Sequence, residues 1–208
     1  LDLAVNNSGS GTVEIQLGNG DGTFKAGGAS FALGTSYNMV ARDVTGDGNL
    51  DLVGADITES AVHVLVSNGD GTFKARTTVT TVGAAYSAVT GDLNGDGDLD
   101  IITAVKGSDV IQVALGNGNG TFSAATSIAA GNEPSDVTVG DVNGDGFRDI
   151  VSVTYDVGAP KLNVMLGNGD GTFKALLTFN LQESGVEVEL YDANSDGDLD
   201  VVAATKNP

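Results

Sequence analysis

The stretch Asp92-Leu-Asn-Gly-Asp96-Gly-Asp-Leu-Asp100 decides the fold, because it recurs. Its companions are Asp43-Val-Thr-Gly-Asp47-Gly-Asn-Leu-Asp51, Asp141-Val-Asn-Gly-Asp145-Gly-Phe-Arg-Asp149 and Asp192-Ala-Asn-Ser-Asp196-Gly-Asp-Leu-Asp200. Their first aspartates stand 49, 49 and 51 residues apart. A second phrase, Gly-Asn-Gly-Asp-Gly-Thr-Phe, keeps step at 18–24, 67–73, 116–122 and 167–173, with Ser67 and Asn119 as its variations. Self-similarity at such a period marks an architecture of repeated supersecondary units.

Each period holds four short apolar runs. The first precedes the Asp-rich phrase, at 39–43, 88–92, 137–141 and 188–192. The second follows it, at 50–55, 99–105, 149–154 and 199–205. A third lies at 12–17, 61–66, 110–115 and 161–166. The Asn-Gly turn then closes a hairpin into a fourth, predicted to start at Phe24, Phe73, Phe122 and Phe173. Runs of this length, Val-rich and bounded by Gly and Asx, read as strands and hairpins, and no segment sustains the 3.6-residue apolar period of a long helix. Four strands in about 49 residues is the arithmetic of a propeller blade. The expected fold is therefore an all-β propeller, with repeats at 1–49, 50–98, 99–147 and 148–198 and a partial repeat at 199–208. The two extra residues of the last interval fall near 155–161, a turn-forming stretch.

Leu1-Asp2-Leu3 aligns with Leu50-Asp51-Leu52, so Asp2 stands at the ninth position of an Asp-rich loop. With 199–205 repeating the same strand, the expectation is a slice of a longer propeller: three complete blades between two partial ones. Further blades would come from the parent chain or another subunit. A closed four-blade ring is the alternative. The absent initiator Met and signal peptide fit a mature or excised segment.

Composition narrows the function classes. The chain has 208 residues, 28 acidic against 9 basic side chains, a net charge of -19 and no cysteine. So negative a field repels phosphate, which argues against a nucleic-acid or anionic-membrane partner. No apolar run approaches the roughly 20 residues of a membrane span, so no membrane insertion is expected. Of the 28 acidic residues, 14 lie in the four Asp-rich phrases, so the charge is concentrated like a site.

Asp occupies positions 1, 5 and 9 of all four loops, as Asp43, Asp47 and Asp51; Asp92, Asp96 and Asp100; Asp141, Asp145 and Asp149; and Asp192, Asp196 and Asp200. Position 3 is Thr45, Asn94, Asn143 or Asn194, and position 7 is Asn49, Asp98, Phe147 or Asp198. At Phe147 only the backbone carbonyl could serve as a ligand. Carboxylates and amide oxygens around sharp glycine turns suit Ca²⁺, which takes roughly 6–8 oxygen ligands. No nitrogen or sulfur donor is nearby, which argues against Zn²⁺ or Cu²⁺. An EF-hand needs a bidentate Glu at position 12; this chain has Gly54, Thr103, Ser152 and Ala203 there.

The doubled motif, Asp-x-Asn-Gly-Asp-Gly-x-x-Asp with Gly-Asn-Gly-Asp-Gly-Thr-Phe, resembles the FG-GAP/VCBS repeat family, related to the integrin α-subunit propeller. The resemblance covers essentially the whole chain. It implies Ca²⁺ in the loop between a blade's first two strands, about four sites here, together with an extracellular or cell-surface setting and usually seven blades. Thr45 departs from the pattern with only a hydroxyl, so that loop is expected to be the weakest. Ser195 replaces the usual Gly and is expected to strain the fourth loop slightly.

Other features read more plainly. The Asn-Gly-Asp-Gly turns lack the Lys-Ser/Thr of a phosphate-binding loop and join strands. The Phe after each turn reads as inter-blade packing. His63, the single histidine, is expected on a strand surface, and Glu187 and Glu189 on one solvated strand face. Tyr37 and Tyr86 stand six residues before the loop Asp, where Ser135 and Val186 occupy the later repeats, and could serve a sugar. The expected function is a non-enzymatic, Ca²⁺-stabilised module for adhesion or assembly with a protein or glycan ligand. A lectin is the alternative, and an enzyme domain the weaker one.

Overall fold

The computed structural model describes residues 2–206, and every regular element among them is a strand. The first sheet holds β1 (Leu3–Asn7), β2 (Thr12–Gln16) and β3 (Ala29–Ala32). Three four-stranded sheets follow: β4 (Met39–Arg42) to β7 (Thr77–Thr80) with β5 (Asp51–Asp56) and β6 (Ala61–Leu65) between; β8 (Ala85–Gly91), β9 (Asp100–Val105), β10 (Val110–Ala114) and β11 (Thr126–Ala129); and β12 (Pro134–Gly140), β13 (Asp149–Thr154), β14 (Lys161–Met165) and β15 (Leu177–Asn180). The last sheet pairs β16 (Ser184–Tyr191) with β17 (Asp200–Lys206). Every pairing is antiparallel between consecutive strands, as short turns dictate.

The second strands explain the unbroken aliphatic runs. In a strand, successive side chains point to opposite faces; β5, β9 and β13 have a sheet on both faces and are buried throughout. Leu52 packs with Val13 and Ile15 of the first sheet, whereas Val53 and Ala55 pack with Ala85, Ala88 and Ile101 of the third. Ile102 and Ala104 then meet Ile150 and Met165, and Val151 and Val153 meet Val188. Each core lies between neighbouring sheets, so the stack is cooperative along its length.

Two strand boundaries differ from the sequence reading. The fourth strands begin at Ala29, Thr77, Thr126 and Leu177, not at the Phe of each turn. The Phe makes only a bridge back to Gly18, Ser67, Gly116 or Gly167, and the chain leaves the ladder before rejoining it. The first strands β8, β12 and β16 begin three or four residues earlier than predicted, because each contains a β-bulge that skips Tyr86, Ser135 or Val186. A bulge places an extra residue out of alternation and re-aims its side chain.

The repeated Phe packs as expected wherever a preceding sheet exists. Phe73, Phe122 and Phe173 join the cores shared with the previous sheet, and Phe24 is 44% exposed. The turn at 155–160 absorbs the two-residue insertion between β13 and β14. No strand of the first sheet pairs with one of the last among the described residues.

Candidate metal-binding loops and the inner groove

Each Asp-rich loop joins a first strand to a second, and its glycines set its shape. Gly46 and Gly48 hold φ of 71° and 87°, and Gly95/Gly97 and Gly144/Gly146 repeat this, a region open to glycine and costly for other residues. The turn curls backbone N–H groups around the first aspartate. Asp43 accepts from Gly46 N at 2.7 Å and Gly48 N at 2.8 Å. Asp92 and Asp141 take the same pair of bonds from Gly95 and Gly97, and from Gly144 and Gly146. In the fourth loop Ser195 is forced to φ 66°, as the missing glycine implied.

The fifth aspartates, Asp47, Asp96, Asp145 and Asp196, accept from the amide two residues on. The third-position amides of Asn94, Asn143 and Asn194 bridge to the fifth aspartate through Nδ2 at 2.8–3.0 Å. Thr45, too short for that, turns its hydroxyl toward Asp43 Oδ1. At position 7 the side chains of Asn49, Asp98 and Phe147 lie over Gly69, Gly118 and Gly169 of the adjoining hairpin, where a Cβ would collide with them.

The ninth aspartates have a different task. Asp51, Asp100 and Asp149 are fully buried. One oxygen of each accepts from the loop (Val44, Leu93 or Val142 N) and the other from the hairpin (Ser67, Gly116 or Gly167 N), all at 2.8–3.0 Å. They pin the two repeated phrases together. Asp2 makes the hairpin half of this pin, accepting from Gly18 N at 2.8 Å, and Asp200 the loop half, accepting from Ala193 N at 3.0 Å.

The hairpins themselves are closed by their side chains. Asp21, Asp70 and Asp170 each take the amide and hydroxyl of the following Thr, and Asn119 does so in the third repeat. These bonds, led by the Thr hydroxyl, hold the three exposed carboxyls below 3.8.

Burial raises the Asp51 and Asp100 carboxyls, and the neighbouring aspartates at positions 5 and 1 push the same way. Every donor offered is a carboxylate, amide, hydroxyl or peptide oxygen, which suits a hard divalent cation. A carboxylate oxygen that accepts one N–H keeps a second lone pair for such an ion. The loop carboxylates are nonetheless turned to backbone amides. Among the described residues, the one trio of carboxylate and imidazole atoms lying within 4.8 Å of one another is elsewhere: Asp56, Glu59 and His63.

A groove of about 630 Å³ runs between the first strands β4, β8, β12 and β16. The bulge residues Tyr86, Ser135 and Val186 line it, with Tyr37 at the equivalent position. Tyr37 and Tyr86 stand 6.3 Å apart between ring centroids. Lys106 Nζ lies 5.1 Å from the Tyr86 ring and 4.5 Å from Tyr155, and pairs with Glu133 at 3.4 Å. Glu187 and Glu189 share the groove-facing side of β16 and are exposed, as expected. Burial pushes the Asp136 carboxyl up, although it accepts from Val188 N at 2.8 Å.

Sequence reading missed Lys106, Tyr155, Asp56 and Glu59. Tyr155 sits where the insertion interrupts the period, and Asp56 and Glu59 stand where the next repeat has Val105 and Ser108; departures from the repeat were the available signal. His63 corrects the expectation of a strand-surface residue. It is fully buried, because the third strand of an internal sheet is covered by its neighbour.

The model of the FG-GAP-like repeat matches three times, over residues 43–103, 92–152 and 141–203. No curated protein sequence matches the chain. Similar solved structures include an Agrocybe aegerita lectin that recognises non-reducing terminal N-acetylglucosamine, at 19% identity and TM-score 0.49, covering 98% of this chain and 74% of that one. The Photorhabdus luminescens Tc holotoxin pore is similar at 17% identity and TM-score 0.51, over 97% of this chain and 10% of that one. A Bacillus licheniformis rhamnogalacturonan lyase is similar at 14% identity and TM-score 0.54, over 92% of this chain and 47% of that one. No helix of the described residues is long and apolar enough to cross a membrane.

Proposed function

The chain belongs to the FG-GAP-like repeat family, and from that premise we propose that it is a Ca²⁺-stabilised, non-enzymatic extracellular β-propeller module. Its role is to present a surface to a protein or glycan ligand in adhesion or assembly. The observation that carries this reading is the loop design itself. Four times the chain gathers three or four aspartates into the nine residues between a first and a second strand, and three times it ties that loop to the following hairpin. Residues at positions 1, 3, 5 and 9 would hold the ion, with the backbone carbonyl of position 7.

Bound Ca²⁺ supplies positive charge where the carboxylates repel one another. The chain's own residues do the rest: the first aspartate is oriented by glycine amides, and the ninth transmits the loop's geometry into the hairpin. Sites of this kind fill where free Ca²⁺ is millimolar, which favours an extracellular setting. Calorimetric titration should show Ca²⁺ binding, and chelation should lower Tm, since a ligand of the native state stabilises it by mass action. An unchanged Tm with no binding heat would overturn the reading.

A carbohydrate ligand is the second reading, favoured by the groove. Tyr37 is 67% exposed, and with Tyr86 and Tyr155 it offers apolar ring faces beside hydrogen-bonding hydroxyls. Saturable, sugar-specific signals on a glycan array, lost in Tyr86→Ala, would establish it.

A further inference from the structure

The turn between β5 and β6 departs from the repeat. Asp56, Glu59 and His63 stand where the next sheet carries Val105, Ser108 and Gln112. The third-strand position has a structural task in each internal sheet. Gln112 donates to Ser127 Oγ at 3.1 Å and accepts from Val82 N at 2.9 Å, bridging to the chain beyond the preceding fourth strand. Asn163 accepts from Thr178 Oγ1 at 3.1 Å and donates to Ala130 O at 2.7 Å. His63 keeps one half of this bridge, with Nδ1 3.1 Å from Thr78 Oγ1.

The other half is missing. Nε2 belongs to a side chain with no exposure and has no hydrogen-bond partner. It lies 3.3 Å from Asp56 Oδ2 and 3.3 Å from Glu59 Oε2. In the tautomer that donates Nδ1–H to Thr78, the Nε2 lone pair faces two carboxylate oxygens, an arrangement that suits a cation between them. A ligating histidine is typically oriented in this way, through its second nitrogen.

The surroundings hold the donors in place. Asp56 Oδ1 is occupied by Thr58 N at 2.7 Å, Thr58 Oγ1 at 2.8 Å and Glu59 N at 3.1 Å, which turns Oδ2 toward His63, where it accepts one bond from Thr35 N at 3.2 Å and keeps a second lone pair. Gly34 of the preceding segment closes the far side, where any Cβ would collide with Asp56 Oδ2 and the imidazole. Glu59, with a side chain 53% exposed, forms the open side.

The spacing fits a tetrahedral ion. Nitrogen and oxygen donors at about 2.0–2.1 Å from a tetrahedral ion stand about 3.3–3.4 Å apart, which is the separation of Nε2 from both carboxylates. An imidazole with two carboxylates is a borderline donor set, suited to Zn²⁺ and disfavoured for Ca²⁺, and it leaves a fourth position for water. We infer that Asp56, Glu59 and His63 form a site for a divalent transition-metal ion of the Zn²⁺ class, at the seam of the first two sheets and on the end of β5 opposite its Asp-rich loop. Arg76, partly exposed and 3.0 Å from Glu59 Oε2, pairs with the oxygen that would ligate the ion and would have to release it on binding.

The test is calorimetric titration with Zn²⁺ in a large excess of Ca²⁺, which occupies hard-oxygen sites. His63→Gln is the deciding variant, because glutamine performs the structural bridge at the equivalent Gln112. The wild type should take one equivalent more Zn²⁺ than His63→Gln, and Glu59→Gln should bind about tenfold or more weakly. Co²⁺ in place of Zn²⁺ should give a visible absorption of a low-coordinate site that His63→Gln lacks. Equal Zn²⁺ binding by wild type and a folded His63→Gln, or none by the wild type, would overturn the assignment. Should His63→Gln not fold, Glu59→Gln decides, with unchanged binding counting against the site.

Discussion

Ser195 and Gly144 occupy the same place in their loops and hold φ of 66° and 71°. A left-handed conformation costs a residue with a Cβ roughly 1–2 kcal/mol, partly offset by the smaller unfolded-state entropy of a non-glycine residue. Gly144→Ser, where a Cβ meets nothing within 4 Å, should therefore destabilise by about 0.5–1 kcal/mol in denaturant melts. Ser195→Gly should change stability in the opposite sense. The hairpin aspartates allow a second prediction. Asp70 and Asp170 have carboxyls lowered below 3.8 by their bonds to Thr72 and Thr172. Such bonds are present above 3.8 and lost as pH falls through the folded pKa. The Thr72 and Thr172 amide resonances should move with midpoints below 3.8, whereas Thr121, bonded to Asn119, should show no such titration. Asn119 and Asp70 were visible as interchangeable in the sequence, and geometry now shows why: one side-chain oxygen does the work in both.

At the scale of the element, one repeated residue has two different consequences. Phe73 packs edge-on against Phe31 with ring centroids 5.0 Å apart, whereas Phe24 is 44% exposed. Removing a packed aromatic loses both transfer energy and contacts. Phe73→Ala should cost about 2–3 kcal/mol and Phe24→Ala below about 1 kcal/mol, measured by chemical denaturation. The period and the aliphatic runs made the strands legible in advance, because local pattern and burial agree on β5, β9 and β13. The late start of the fourth strands was not legible, since Phe continues the hairpin chemically but the chain bends away after one bridge. The bulges at Tyr86, Ser135 and Val186 were equally hidden, because an extra residue in a ladder leaves no mark on composition.

At the scale of the whole molecule, charge outweighs any single contact. Four Ca²⁺ ions would bring the net charge of -19 to about -11. Without them, the aspartates repel within each loop and between loops. Screening shortens from about 10 Å at 0.1 M salt to about 3 Å at 1 M. Added NaCl should thus raise the Tm of the chelated protein, and raise that of the Ca²⁺-loaded protein less; equal rises would show that the loops do not carry the repulsion. The fold is stacked, each sheet burying its faces on its neighbours, while Asp51, Asp100 and Asp149 tie loop to hairpin within each internal sheet.

The sequence by itself determined the repeated unit, its four strands, the all-β class and the hard-oxygen character of the loops. These depend on local chemistry: glycine at positive φ, aspartate beside amides, aliphatic side chains at strand spacing. Only the tertiary structure decided that the ninth aspartates also pin loop to hairpin, since burial of Asp100 depends on Gly116 arriving from another turn. It alone gathered Tyr37, Tyr86, Lys106 and Tyr155 from four repeats into one groove. It also took His63 from an expected surface to a buried position facing Asp56 and Glu59. Convergence of that kind is set by how sheets stack, and the packing of one sheet on another is not written in the period of either.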